Sequence, residues 1–199
     1  MYTIKNNTHY ELIIKNSKFI TYLYKINSLD EVNKLLSDIR MTEKDANHYC
    51  YAYILGDIKK ASDDGEPSNT AGLPILKVLE KKDLNNILVI VVRYFGGIKL
   101  GAGGLVRAYT KSVTNTIKDD NIILLVEGYN IDIEFNYQEI KTIDYLLKDI
   151  NIKNKEFGNI IKYNLDIPKN FLDKIKLSNI KYHINRDILI EDYSKIKKN

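Results

Sequence analysis

The chain has 199 residues, 44% of them hydrophobic, enough material for packed cores in one large domain or two small ones. Thirty Lys and Arg against 26 Asp and Glu leave a net charge of +4, which permits phosphate-rich partners but excludes a nucleic-acid coat held by bulk basicity. The one cysteine, Cys50, excludes an intrachain disulfide; the polar start is unlike a signal peptide; and the longest aliphatic run, Ile87 to Val92, falls far short of a bilayer span, so a cytoplasmic protein with no membrane partner is expected.

Tyr10 to Ile14 and Phe19 to Ile26 predict a β-hairpin around the polar turn at Asn16 and Ser17. Ser28 and Glu31 then form a capping box, followed by Leu29, Val32, Leu35, Leu36 and Ile39 on one helical face. His48 to Leu55 alternates as a strand, with Tyr49, Tyr51 and Tyr53 on one face and His48, Cys50, Ala52 and Ile54 on the other. Gly56 to Gly72, built of Asp, Ser, Gly, Pro and Asn, predicts a loop long enough to call for a functional reason. Pro74 opens a short helix to about Leu79, and Ile87 to Val92 reads as a strand buried on both faces. Tyr94 to Tyr109 holds five glycines leading into a helix with Leu105, Tyr109, Val113 and Ile117 on one face and Arg107 and Lys111 on another.

At Asp119-Asp120-Asn121 the character changes, and glycine nearly disappears beyond it. We divide the chain at this point into domains 1–122 and 123–199. Tyr129 to Phe135 is a strand with one wet face, and Ile140, Ile143, Leu146 and Leu147 mark a helix. Lys153 to Phe157 and Ile160 to Ile167 flank Gly158 as a hairpin, Pro168 opens a second helix, and Tyr182 to Ile190 supplies a last strand. That β-α-β-β-α-β order is the ferredoxin-like pattern, so the fold class is α+β. Lys195 to Asn199 is expected to fray.

Eight of the ten glycines lie between Gly56 and Gly104, so the unusual backbone geometry falls in two loops of the first domain. The acidic loop, Ser62 to Gly72, supplies Asp63, Asp64 and Glu66 with several hydroxyls. It reads either as a self-satisfied turn capping the following helix or as a ligand site, and its spacing does not fit an EF-hand metal loop. The glycine loop matches neither Gly-x4-Gly-Lys-Ser/Thr nor the full Gly-x-Gly-x-x-Gly, yet the helix N-terminus it leads into suits a phosphate. Arg93, Lys99 and Arg107 either pair with the acidic loop as an internal clasp or line a mixed-charge cleft with it. His48 and Cys50 lie side by side on a strand without the base aimed at the sulfur, and the tyrosine face either packs under a helix or stacks bases. With three histidines in all, no Ser-His-Asp set can be drawn.

His48-Tyr49-Cys50-Tyr51-Ala52-Tyr53, Ser62 to Gly72 and Val91 to Tyr109 together resemble the signature of the IMPACT family in its bacterial YigZ-type form. Lys15 to Ile20 is similar to the family's start, and the residues beyond about 125 to its smaller C-terminal domain. Asn69 departs from the pattern, which usually has glycine between Ser68 and Thr70; asparagine tolerates left-handed φ better than most residues. The resemblance implies a first domain with the fold shared by a ribosomal-protein domain, elongation factor G domain IV and the small-molecule kinases of the GHMP group. It implies a second, ferredoxin-like domain similar to the last domain of elongation factor G. Eukaryotic members regulate translation by competing for a partner of a stress kinase. The expected function is therefore a non-catalytic, translation-associated protein that binds RNA, the ribosome or translation factors. The candidate ligand- or nucleic-acid-binding residues are His48, Asp63, Asp64, Glu66, Thr70, Arg93, Tyr94, Lys99, Gly101, Gly103, Gly104 and Arg107, with no catalytic residue, metal or cofactor assigned. The rival is a small-molecule phosphotransferase or hydrolase that sets Asp63, Asp64 and Glu66 against the Gly96 to Gly104 loop around a phosphate-bearing ligand.

Overall fold

The structure, a computed structural model, describes residues 1–192, and the predicted fraying at Lys195 to Asn199 lies outside them. The chain forms two compact units, one from Met1 to Leu124 and the other from Leu125 onward.

The first unit is organised by the strand with the least polar sequence. β6 (Ile87–Tyr94) is the central member of an all-antiparallel sheet ordered β2-β3-β6-β4-β5. Its neighbours are β3 (Ser17–Lys25) and β4 (His48–Leu55), with β2 (Thr8–Ile14) and β5 (Ile58–Ser62) at the edges. All six residues from Ile87 to Val92 are fully buried. Ile87, Val89 and Val91 meet α2 (Gly72–Lys81) and α3 (Ala102–Thr116), whereas Leu88, Ile90 and Val92 meet α1 (Leu29–Thr42) on the opposite face. Burying each such side chain contributes about 1.5–3 kcal/mol, so a strand with no wet face defines a three-layer unit.

α1 begins as the sequence predicts, with the Ser28 hydroxyl accepting from the Glu31 N–H at 3.2 Å. The Glu31 carboxylate reaches back one residue further than a capping box requires, to the Asn27 N–H. Val32 and Ile39 are buried, but Leu29 is exposed at the first turn. The helix ends on Glu43, whose carboxylate accepts from the Tyr22 and Tyr94 hydroxyls. Burial acts upward on the Glu43 carboxyl, but those two hydrogen bonds and the Lys18 charge outweigh it and hold it below the usual range. A carboxyl lowered in the folded state stabilises above its unfolded value, about pH 4.3, and that contribution is lost as pH falls through the folded value. Glu43→Gln is thus expected to flatten the acid limb of a stability-against-pH curve from thermal melts, and an unchanged limb would refute this.

Two elements depart from expectation. Gly56 to Gly72 is not one loop: Gly56 and Asp57 make a two-residue turn, and β5 pairs back on β4 from Leu55↔Ile58 to Tyr51↔Ser62. The exposed Ile58, Lys59 and Lys60 carry no alternating pattern because an edge strand needs only its backbone to pair, and lysines discourage further pairing there. At the N-terminus, β1 (Tyr2–Ile4) pairs with Ile122 to Leu124, the opening residues of β7 (Ile122–Phe135), burying Thr3 and Ile4. Three residues are too few to show a period.

In the second unit the predicted β-α-β-β-α-β order is present: β7, α4 (Ile140–Leu146), β8 (Asn151–Phe157), β9 (Ile161–Pro168), α5 (Leu172–Leu177) and β10 (Lys181–Glu191). β7 lies between β9 and β10, and β8 flanks β9. Ile131, Ile133, Phe135, Ile161, Tyr163, Leu165 and Ile167 pack one sheet face against Ile143, Leu147, Leu172 and Ile175. The alternate residues form a polar network, in which Asn130 and Asn164 donate to Asp166 and Asp132. Its side-chain hydrogen bonds run among asparagines and aspartates.

Candidate functional site

The acidic loop is shaped by its own carboxylates. Asp63 follows β5 and accepts three backbone N–H groups, from Asn69 at 2.8 Å, Ala71 at 2.9 Å and Gly72 at 2.8 Å. It thereby caps α2, whose first residues have no capping side chain of their own. Asn69 holds the left-handed conformation, φ 61°, that its place in the loop requires. Asp64 accepts from Arg40 at 2.6 Å and from the Tyr49 N–H at 2.7 Å, and its carbonyl faces His48 Nδ1 at 2.9 Å. Thr70 is buried, its hydroxyl donating to the Pro67 carbonyl.

Glu66 turns inward. It is 8% exposed, and its Oε1 accepts from Arg93 Nη1 at 2.6 Å and from the Tyr109 hydroxyl at 2.8 Å. Its Oε2 lies 3.9 Å from His48 Nε2. Arg93, 5% exposed, stands between the Phe19 and Phe95 rings, 5.5 and 5.6 Å from their centroids. Arg93 and Tyr109 lie at opposite ends of the glycine stretch, so one carboxylate ties both ends to the acidic loop. Cys50 Sγ completes the cluster, 2.9 Å from the Asp63 carbonyl oxygen and 3.2 Å from the Tyr109 hydroxyl.

Burial pushes the Cys50 thiol up to about 12, the Glu66, Asp64 and Asp63 carboxylates adding to the rise against the Tyr109 hydrogen bond. Burial likewise raises the Tyr109 hydroxyl, reinforced by Cys50 and Glu66. A thiol kept protonated and buried is a poor nucleophile. Ellman's reagent at pH 8 is expected to leave Cys50 untouched in the folded protein and to titrate it in guanidinium; rapid labelling of the folded protein would contradict this.

The glycine loop is anchored at its start and bare beyond. Tyr94 bonds Glu43 under the Lys18 ammonium, which lies 4.5 Å from its ring centroid. The Phe95 N–H donates to Asn47 Oδ1 at 2.7 Å, and the Gly96 N–H to Ser17 Oγ at 3.2 Å. Gly97 and Gly101 have φ of 83° and 71°, with open space where a side chain would stand. Gly101 is the N-cap of α3 and supplies no capping side chain. The first i→i−4 bond runs from the Leu105 N–H to the Gly101 carbonyl at 2.9 Å. The N–H groups of Ala102, Gly103 and Gly104 precede it and face the loop end of the helix. Gly104 also lets α3 approach Leu100, whose Cβ would meet an added Cβ at 3.1 Å. Lys99 and Arg107 are exposed and form no ion pair among the described residues.

The candidate residues thus fall into two sets. Buried Glu66, Thr70 and Arg93 with half-buried His48, Asp63 and Asp64 form an inward clasp, whereas Lys99, Gly101, Gly103, Gly104 and Arg107 make an open, cationic helix entrance. Tyr94 belongs to the Glu43 cluster on the α1 side. Tyr49 and Tyr53 are buried in the core that α1 covers, and Tyr51 packs against it. The sequence shows Tyr109 on the buried face of its helix, but no local pattern signals its bond to Glu66, that of Arg40 to Asp64 or that of the Gly96 N–H to Ser17, whose partners stand 43, 24 and 79 residues apart.

A two-unit α+β chain with an inward Glu-Arg clasp beside a glycine-rich helix entrance is a defined class, and the comparisons give it a family. A sequence model described as the Impact N-terminal domain matches residues 15–117. The chain is 37% identical over 172 residues to IMPACT family member YvyE of Bacillus subtilis (strain 168), covering 81% of this chain and 79% of that protein. It is 32% identical over 162 residues to IMPACT family member YigZ of Escherichia coli (strain K12), covering 78% of this chain and 79% of that one. A crystal structure described as that of a hypothetical protein matches with a TM-score of 0.62 and 28% identity, over 91% of this chain and 95% of its own. The chain belongs to the IMPACT family.

Proposed function

We propose that this protein is a non-catalytic, translation-associated factor that binds RNA through the α3 entrance. The observation that carries the reading is the uncapped N-terminus of α3, reached through bare glycine backbone and flanked by exposed Lys99 and Arg107. Such an end offers N–H donors and a positive dipole to phosphate. From Leu84 to Lys118 the sequence contains five Lys and Arg and no acidic residue. The acidic loop competes weakly, because Asp64 is paired with Arg40, Glu66 with Arg93, and Asp63 is turned onto three backbone N–H groups. On the same reading the first unit takes the fold shared with elongation factor G domain IV, and the second is ferredoxin-like, a proposal that the sheet order β10-β7-β9-β8 supports. The dry face of that second sheet packs its own helices, and the lysines of its wet face are paired with the acids there, Lys153 with Asp166 and Lys162 and Lys181 with Glu134, so RNA binding is assigned to the first unit.

The test is filter binding of labelled RNA between about 50 and 200 mM salt, where phosphate contacts set the slope of log affinity against log salt. Lys99→Ala/Arg107→Ala is expected to bind more weakly and to lower that slope by about 0.7 for each lost contact to a single strand. Arg93 is left intact because it belongs to the clasp. A double variant that matches wild type at every salt concentration would sink the proposal.

A further inference from the structure

We infer that the surface at the glycine loop takes single-stranded rather than duplex RNA, with the Phe95 ring as a stacking platform for a base; this deepens the function proposed above and rests on it. Phe95 is 46% exposed, as is Ile98 three residues on, while the strand that leads into them is buried from Ile87 to Arg93. The ring is held in place. Its backbone N–H is bonded to Asn47, the next residue is wedged on the β2–β3 turn, and the buried Arg93 guanidinium lies 5.6 Å from its centroid. A rigid ring backed by a buried cation presents its outer side to solvent at little entropic cost. Gly96 and Gly97 follow without side chains, and among the described residues nothing lies within 4 Å of where a Gly97 Cβ would stand.

The occupant follows from the combination of surfaces. With Arg93 neutralised by Glu66, the exposed Lys99 and Arg107, which form no ion pair among the described residues, leave the loop surface cationic and favour an anionic occupant. A duplex would meet Lys99 and Arg107 with its phosphates but keeps its base faces in its own stack. A single strand can set phosphates on the cations and a base on the ring, and stacking of that kind tolerates any sequence.

The experiment measures binding of a fluorescein-labelled oligouridylate and of a duplex RNA of equal length, with a DNA single strand as a further arm. Phe95→Ala is expected to raise the Kd for the single strand by about 5- to 150-fold and to leave the duplex unchanged. Phe95→Leu, which keeps apolar bulk over Arg93 without a π face, is expected to lose binding in the same direction. The chain has no tryptophan, so Phe95→Trp installs a sole indole whose emission the single strand should quench and the duplex should not. If Phe95→Ala and Phe95→Leu bind as wild type while Lys99→Ala/Arg107→Ala does not, stacking is overturned and the proposed function stands. Equal wild-type affinity for duplex and single strand also overturns it, and absence of all RNA binding overturns both. A DNA strand bound as tightly as RNA supports the platform, because stacking and phosphate contacts do not read the sugar.

Discussion

Arg93→Met is expected to destabilise the first unit by about 3–5 kcal/mol in urea unfolding, the cost of leaving a buried charge without its partner. The substitution keeps the stem of the side chain between Phe19 and Phe95 but strips Glu66 of its shortest contact, the 2.6 Å ion pair. Glu66 is then left with the Tyr109 hydroxyl and with His48 at 3.9 Å, which cannot replace a guanidinium. Glu66→Gln should cost less, about 1.5–3 kcal/mol, because the amide oxygen still accepts from Tyr109 while Arg93 loses its counter-charge. Removing both charges in Arg93→Met/Glu66→Met takes away the unpaired ion that makes each single change expensive. The double variant should therefore lose less than the sum of Arg93→Met and Glu66→Met, with a coupling of about 0.5–3 kcal/mol. Additive losses would mean that the two groups do not act as a pair. Wild-type stability in Arg93→Met would mean that Glu66 is not committed inward, and would return the acidic loop to candidacy as a ligand site.

Where a residue's environment repeats along the chain, the sequence made it legible. The unbroken aliphatic run of β6 announced a strand covered on both faces, and the four-residue spacing of Leu105, Tyr109, Val113 and Ile117 announced the buried face of α3. The family was readable from the three motifs at His48 to Tyr53, Ser62 to Gly72 and Val91 to Tyr109, all inside the residues that the family model matches. The division of labour inside the motifs was not readable. Asp63, Asp64 and Glu66 look alike on the page, yet one caps a helix, one holds Arg40 and a backbone N–H, and one is buried against Arg93 and Tyr109. The Asp63 cap, with partners six to nine residues on, is the self-satisfied turn that the sequence offers as one reading, but Asp64 and Glu66 find partners 15 to 43 residues away, and no local period encodes those. β5 was missed for a related reason, since an exposed edge strand is selected by its backbone and leaves no apolar signature.

Gly96→Ala is expected to cost more than about 4 kcal/mol or to prevent folding, whereas Gly97→Ala, one residue on, should cost about 1–2 kcal/mol. The two glycines are required for different reasons. Gly97 has φ 83° and nothing near its missing Cβ, so alanine there meets only the strain of left-handed backbone. Gly96 does not have positive φ, but a Cβ there would lie 2.0 Å from the Asn16 carbonyl carbon, 2.2 Å from its oxygen and 2.4 Å from the Ser17 nitrogen. Those atoms are backbone in a turn whose Lys15 and Asn16 already hold φ of 46° and 61°, so no side chain can swing aside to make room. Relief would require the loop to lift off the turn, breaking the Gly96 N–H bond to Ser17 Oγ and disturbing the residue that Arg93 Nη2 also approaches. The same displacement would move Phe95 off the Arg93 guanidinium, so the glycine-loop surface and the clasp should fail together in Gly96→Ala. Circular-dichroism melts of the two variants side by side decide the matter: a Gly97→Ala protein less stable than Gly96→Ala would show that the loop does not rest on the turn, and that conformation rather than close approach selects glycine at both positions.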